Sequence, residues 1–193
     1  MVKKRLSGFK NIYVAPITEG STFGVPVPIA GAKAVEAELS YETVQFYADD
    51  VMDTNENIFA GGEGTLTISS LTIEEYKLLF GATVSKGGAL VKSTDIQPEL
   101  ALLFERGKLG SNGKMLYALY AVKFAPASVA ATTREGTAEE ELVELAFTIR
   151  ETADNEIYYL IDSEATDVDP LQVSGWFTTV QKQGVSLPAS LKA

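Results

Sequence analysis

The sequence runs to 193 residues with a formal net charge of -10, and it contains neither cysteine nor histidine. One domain with an appendage fits that length, and 46% hydrophobic with 22% charged residues is ordinary for a globular chain. The missing residue types exclude disulfides, thiolate chemistry, Ser-His and Cys-His arrangements and the commonest metal ligand, while the acidic balance argues against a grip on nucleic acid.

Lys3, Lys4 and Arg5 are followed by Leu6-Ser7-Gly8-Phe9-Lys10-Asn11, which lacks the apolar core of a secretory leader. No apolar run approaches membrane-spanning length, so a soluble protein made in the cytoplasm is expected. Residues 9–17 read as a first strand, with Ile12 and Val14 on one face and Tyr13 and Ala15 on the other. Residues 20–31 contain Pro26 and Pro28 and read as loop or edge. Residues 33–41 alternate, Val35, Ala37 and Leu39 inward and Ala34, Glu36, Glu38 and Ser40 outward.

The stretch 41–70, YETVQFYADDVMDTNENIFAGGEGTLTISS, opens and closes as strand around a connection rich in Asp, Asn and Gly. That connection is far longer than a hairpin turn needs, and its margins carry Phe46, Tyr47, Val51, Met52, Ile58 and Phe59, which a solvated linker would not. Residues 41–64 are therefore expected to form a projecting loop, an acidic arm without Lys or Arg that packs against another copy of the protein.

A single helix is expected over residues 72–81. Thr72 and Glu75 form a capping box, Leu71 and Tyr76 a hydrophobic staple, Ile73, Tyr76, Leu79 and Phe80 an apolar stripe, and Gly81 the stop. Residues 99–106 and 114–124 form a hairpin whose turn holds Asn112-Gly113, and residues 115–124 are apolar on both faces, which predicts a central strand. A small-residue loop over 125–136 precedes Glu139-Glu140-Glu141 and a strand with Val143, Leu145, Phe147 and Ile149 on one face. Residues 157–162 read as the last core strand. The expected fold class is mainly β, a β-sandwich or partly closed barrel with one short flanking helix. Residues 1–162 form the domain and 163–193 a C-terminal extension.

Several short patterns invite chemical readings. Asp53-x-Asn55-x-Asn57 resembles the start of a calcium loop, but Ile58 stands where Gly and Gly64 where Glu would be required. Asp49-Asp50 is a carboxylate pair, yet neighbours on a strand point to opposite faces. Gly61-Gly62-Glu63-Gly64 lacks the ending of a phosphate loop and reads as flexible backbone at the base of the arm. Glu139-Glu140-Glu141 reads as a solvated strand start or as a charged field in an assembly. Trp176-Phe177 either caps the sandwich or buries itself in a neighbour. No catalytic, cofactor-binding or metal site is expected.

The segments GFKNIYVAP (8–16), FYADD (46–50), LLFG (78–81), LALLFERG (100–107), LYALYAVKFAP (116–126) and WFTTV (176–180) resemble, in order, the major tail proteins of long, non-contractile-tailed bacteriophages, of the phi13 type. That resemblance implies a virion structural protein: a tail-tube β-sandwich forming hexameric rings that stack around a lumen for DNA ejection. Its partners would be further copies of itself, the tape measure, the tail terminator and the tail tip. DNA would pass without specific binding and no membrane would be involved. The long loop of such proteins reaches neighbouring subunits, and residues 41–64 occupy that place. Phe46, Tyr47, Val51, Met52, Ile58, Phe59, Trp176 and Phe177 are accordingly the candidate subunit-interface residues. Alternative readings are a monomeric β-sandwich adhesion or carbohydrate-binding module, a hydrolase with paired carboxylates, and a related secretion-machine tube.

Overall fold

The computed structural model describes residues 4–48, 51–129, 131, 133 and 140–184. Its framework is one large antiparallel sheet. Strand β1 (Leu6–Glu19) carries two short edge strands, β2 (Thr22–Phe23) and β3 (Val27–Pro28), and pairs on its other side with β8 (Leu100–Lys108). From β8 the sheet continues through β9 (Lys114–Phe124), β10 (Val143–Arg150) and β5 (Val51–Ile68) to β4 (Ala32–Ala48), which ends it. The two ends do not pair with each other, so the sheet is not closed into a barrel. A separate two-stranded sheet joins β6 (Thr83–Ser85) to β7 (Gly88–Leu90).

One edge of β9 is divided. Residues 121–124 pair with β10, and residues 115–119 pair with β11 (Tyr158–Asp162). At that division the sheet splits into two directions, which lets its halves face each other across a core. Side chains of β8 and β9 go both ways, as the two-sided apolar pattern predicts. Leu100, Leu102 and Phe104 meet Ile12, Val14, Leu66, Leu145 and Phe147 in a first core. Ala101 and Leu103 join Leu116, Ala118, Tyr120, Ile161 and Trp176 in a second one on the opposite face. Along β10 the inward Leu145, Phe147 and Ile149 are buried and their neighbours exposed, matching the period-2 pattern.

Helix α1 (Ile73–Phe80) closes the first core with Leu79 and Phe80. Both arms of its capping box form, Thr72 Oγ1 accepting from Glu75 N at 3.4 Å and Thr72 N donating to Glu75 Oε2 at 2.6 Å. Gly81 ends it in the left-handed conformation, φ 69°. Among the described residues no helix is long and apolar enough to cross a membrane.

Three expectations are corrected. A second helix exists, α2 (Pro170–Gly175), capped by Asp169 Oδ1 accepting from Leu171 N at 2.9 Å with Pro170 in its first turn. Residues 163–184 are a packed layer. Val168, Val173, Trp176, Phe177 and Val180 cover the second core, and the Tyr120 hydroxyl donates to the Gln181 carbonyl at 2.7 Å. Finally, the arm is no loop: β4 and β5 run on as a paired hairpin out to Ala48 and Val51. Glu42, Thr43, Gln45, Asn55, Glu56 and Asn57 are all exposed there, neighbours along each strand included, so the sequence loses the alternation that marks a half-buried strand.

Candidate assembly surface

Two bulky residues of β10 and two glycines of β5 fix where the hairpin leaves the sheet. Phe147 lies opposite Gly64 and Ile149 opposite Gly62 in the register of the two strands. A Cβ on Gly62 would stand 2.7 Å from the Glu38 carbonyl oxygen and 3.2 Å from Ile149 Cβ. Gly62 is buried and paired on both sides. The Gly61-Gly62-Glu63-Gly64 run, expected to be flexible, is thus packed backbone. Absent side chains there admit the aromatic ring and the neighbouring strand.

Beyond Gly62, β5 has no partner on the β10 side. Ser40 still pairs with Gly61, but Tyr41 pairs with Phe59, so Ala60 is an extra residue in β5. This bulge, with Gly61 at φ 116°, re-aims the hairpin as it departs. From there the hairpin continues as a two-stranded ribbon, residues 41–48 against 51–59, about 25 Å long at roughly 3.3 Å per residue. Tyr41 and Phe59 make an edge-to-face contact at 5.7 Å at its root, and Thr43 Oγ1 donates to Asn57 Oδ1 at 2.8 Å across it.

Of the candidate interface residues, Phe46, Tyr47, Val51 and Met52 lie on the ribbon strands, with Tyr47 opposite Met52. Ile58 is on the same ribbon and 53% exposed, and Phe59 is half-buried at the root. Six of the eight therefore belong to one projecting element. Trp176 and Phe177 do not join them. Trp176 is 0% exposed, enclosed by its own chain beside Tyr159, and Phe177 stacks on Tyr13 at 4.7 Å. Of the two readings for that pair, the structure has the cap: the aromatic face that a neighbour would need is already occupied.

Among the short patterns with chemical readings, Asn55 and Asn57 sit on extended strand opposite Gln45 and Thr43, without the curvature by which a calcium loop converges its oxygens. Asp49, Asp50 and Glu139 lie outside the described residues. Glu140 accepts from Ser69 Oγ at 2.7 Å and pairs with Lys33 Nζ at 3.1 Å, and these partners hold its carboxyl below the ordinary value. It clips the start of β10 to β4 and β5. Among the described residues no group of three or more acids is placed to hold a metal ion.

Two features escaped sequence reading. The outward face of β4, β5 and β10 carries several acids: Glu38 stands directly opposite Glu63, Glu36 is the next outward residue along β4, and Glu144 lies farther along β10, opposite Thr67. Glu36, Glu38 and Glu63 line a shallow depression of about 690 Å³ together with Lys123. Like charges opposite each other on a sheet are unfavourable, so folding alone does not account for this arrangement. The alternation over 33–41 had placed Glu36 and Glu38 outward, but Glu63 was assigned to loop. The other feature is the outer edge of β4, seventeen residues without a strand partner in the described chain. Long open edges are templates for pairing with another chain. Compared with known proteins, the chain matches no family model and no curated sequence.

Proposed function

We propose that the chain is a structural subunit that assembles with copies of itself, in the manner of a bacteriophage tail-tube protein. On this reading the subunits form stacked rings, hexameric by the resemblance, around a conduit for DNA. They would be made in the host cytoplasm and finish in the virion tail, in contact with tape-measure, terminator and tip proteins. The observation that carries the reading is the β4–β5 ribbon. It leaves its own sheet at a built bulge, exposes apolar side chains such as Ile58, and continues an open edge strand. A monomer gains nothing from such an element and has to keep it from aggregating. The acidic face of Glu36, Glu38, Glu63 and Glu144 fits the same reading, because carboxylates lining a conduit would let phosphate slide without adsorbing.

Negative-stain microscopy of the purified protein, with light scattering across concentration and salt, tests this. Rings or tubes are expected. A protein that stays monomeric at millimolar concentration, even when seeded with tail-tip complexes, would instead favour the monomeric binding module.

A further inference from the structure

One part of the core face is left uncovered. Tyr158 and Leu160 of β11 pair with Leu119 and Tyr117 of β9, and they face the first core, since Ile161 and Tyr159 go to the second. They are nevertheless 48% and 39% exposed. The cause is the divided edge of β9: β10 takes the adjacent stretch and leads β5 and β4 away, leaving a gap between β4 and β11. That gap is a groove of about 600 Å³. On its floor Phe9, Phe104 and Tyr117 form a continuous row of rings, with centroids 5.7 and 4.8 Å apart. Lys33 and Arg106 stand at its rim. Arg106 is exposed and has no ion-pair partner among the described residues.

We propose that this groove receives the β4–β5 ribbon of a neighbouring copy, an inference that rests on the self-assembly reading and supplies its acceptor site. Chemistry on the two sides is complementary. Residues 41–60 contain Glu42, Asp49, Asp50, Asp53 and Glu56, no Lys or Arg, and a large share of apolar residues. The groove offers an apolar floor and the cation of Arg106, unpaired among the described residues, while Lys33 beside it is already engaged by Glu140. A copy's own ribbon does not serve, because β4 forms one wall of the groove through Val35 and Leu39 and then runs on beyond it into the ribbon. The visitor comes from another copy, and ribbon and groove are different surfaces of the chain, so in a ring the contact runs head-to-tail from subunit to subunit.

A cysteine-free chain makes the test direct. Protein carrying Ile58→Cys is mixed with protein carrying Leu160→Cys under assembling conditions and treated with a short bis-maleimide. The control replaces the second partner by Val129→Cys, which is fully accessible on the loop after β9. A covalent dimer in the first mixture, well above the control, is expected. Arg106→Glu should lower its yield by about tenfold without changing thermal unfolding, since reversing a rim charge sets like charges together. Assemblies that form normally with no crosslink above the control overturn the groove inference and leave the assembly reading standing. Crosslink yield unchanged by Arg106→Glu, or a groove that takes up a small apolar anion while rejecting the ribbon, also overturns it. Absence of any assembly removes both.

Discussion

An added Cβ at Gly64 would stand 2.3 Å from Phe147 Cζ and 2.4 Å from the Glu36 carbonyl oxygen. The ring can tilt, but the carbonyl belongs to a paired strand and has nowhere to go. Gly64→Ala is therefore expected to destabilise the fold by about 1–3 kcal/mol, as overpacking does, measured by urea unfolding. Combining it with Phe147→Leu relieves only the ring contact, so the double variant should remain less stable than the parent. A second residue-scale consequence concerns pH. Lys108 Nζ bonds both Asp162 oxygens at 2.5 Å and Glu164 Oε2 at 3.2 Å. Lys108 holds the Asp162 carboxyl below its ordinary 3.8, and the Ser111 hydroxyl followed by Lys108 holds Glu164 below 4.5. Depressed carboxylates contribute stability that is present above those ordinary values and lost as pH falls through the lower folded ones. Lys108 itself is raised above 10.5, chiefly by its bond to Asp162, so its share is kept below that value and lost in strong alkali. With no histidine, the melting temperature should be flat between about pH 5 and 8 and fall on the acid side. Lys108→Met should make the acid limb shallower. An unchanged acid limb in that variant would assign it to other carboxylates.

At the scale of elements, the ribbon is separable from the sheet and the C-terminal layer is not. Replacing residues 43–57 by an Asn-Gly turn keeps the Ser40–Gly61 and Tyr41–Phe59 pairs and every contact of the first core. Thermal unfolding of that variant should stay close to the parent's, while assembly seen by microscopy is lost. Normal tubes from the shortened chain would show that the ribbon is not an assembly element. Sequence reading located the ribbon's position, its apolar margins and its opening as strand, yet took the returning residues 51–64 for part of a loop. A strand solvated on both faces carries no hydrophobic period, whereas β10 and β9, with one and two buried faces, were legible. Helix α1 was legible through its caps. Helix α2 was missed because it is six residues long and its opening Asp169-Pro170 also reads as a turn. The acidic face and the groove draw on residues from three or more strands, and only the sheet order brings those together.

On the scale of the whole molecule, charge and layering set two expectations. A net charge of -10, with residues 34–76 free of Lys and Arg, predicts no appreciable DNA affinity at physiological salt. A mobility shift at micromolar protein would contradict the sliding-conduit role of the acidic face. Removing residues 163–193 would strip the second core of Trp176, Val173 and Phe177, and that chain should fail to fold cooperatively. Trp176→Ala alone is expected to cost about 3–5 kcal/mol. The enclosure of Trp176 has an optical corollary. It is the only tryptophan in the chain, so all indole emission comes from beneath the C-terminal layer. Folded protein should emit at short wavelength and resist acrylamide quenching, whether it is dispersed or assembled. A red shift will report detachment of that layer and will stay silent when subunits join or part, so fluorescence can follow folding inside intact polymers while scattering follows their length.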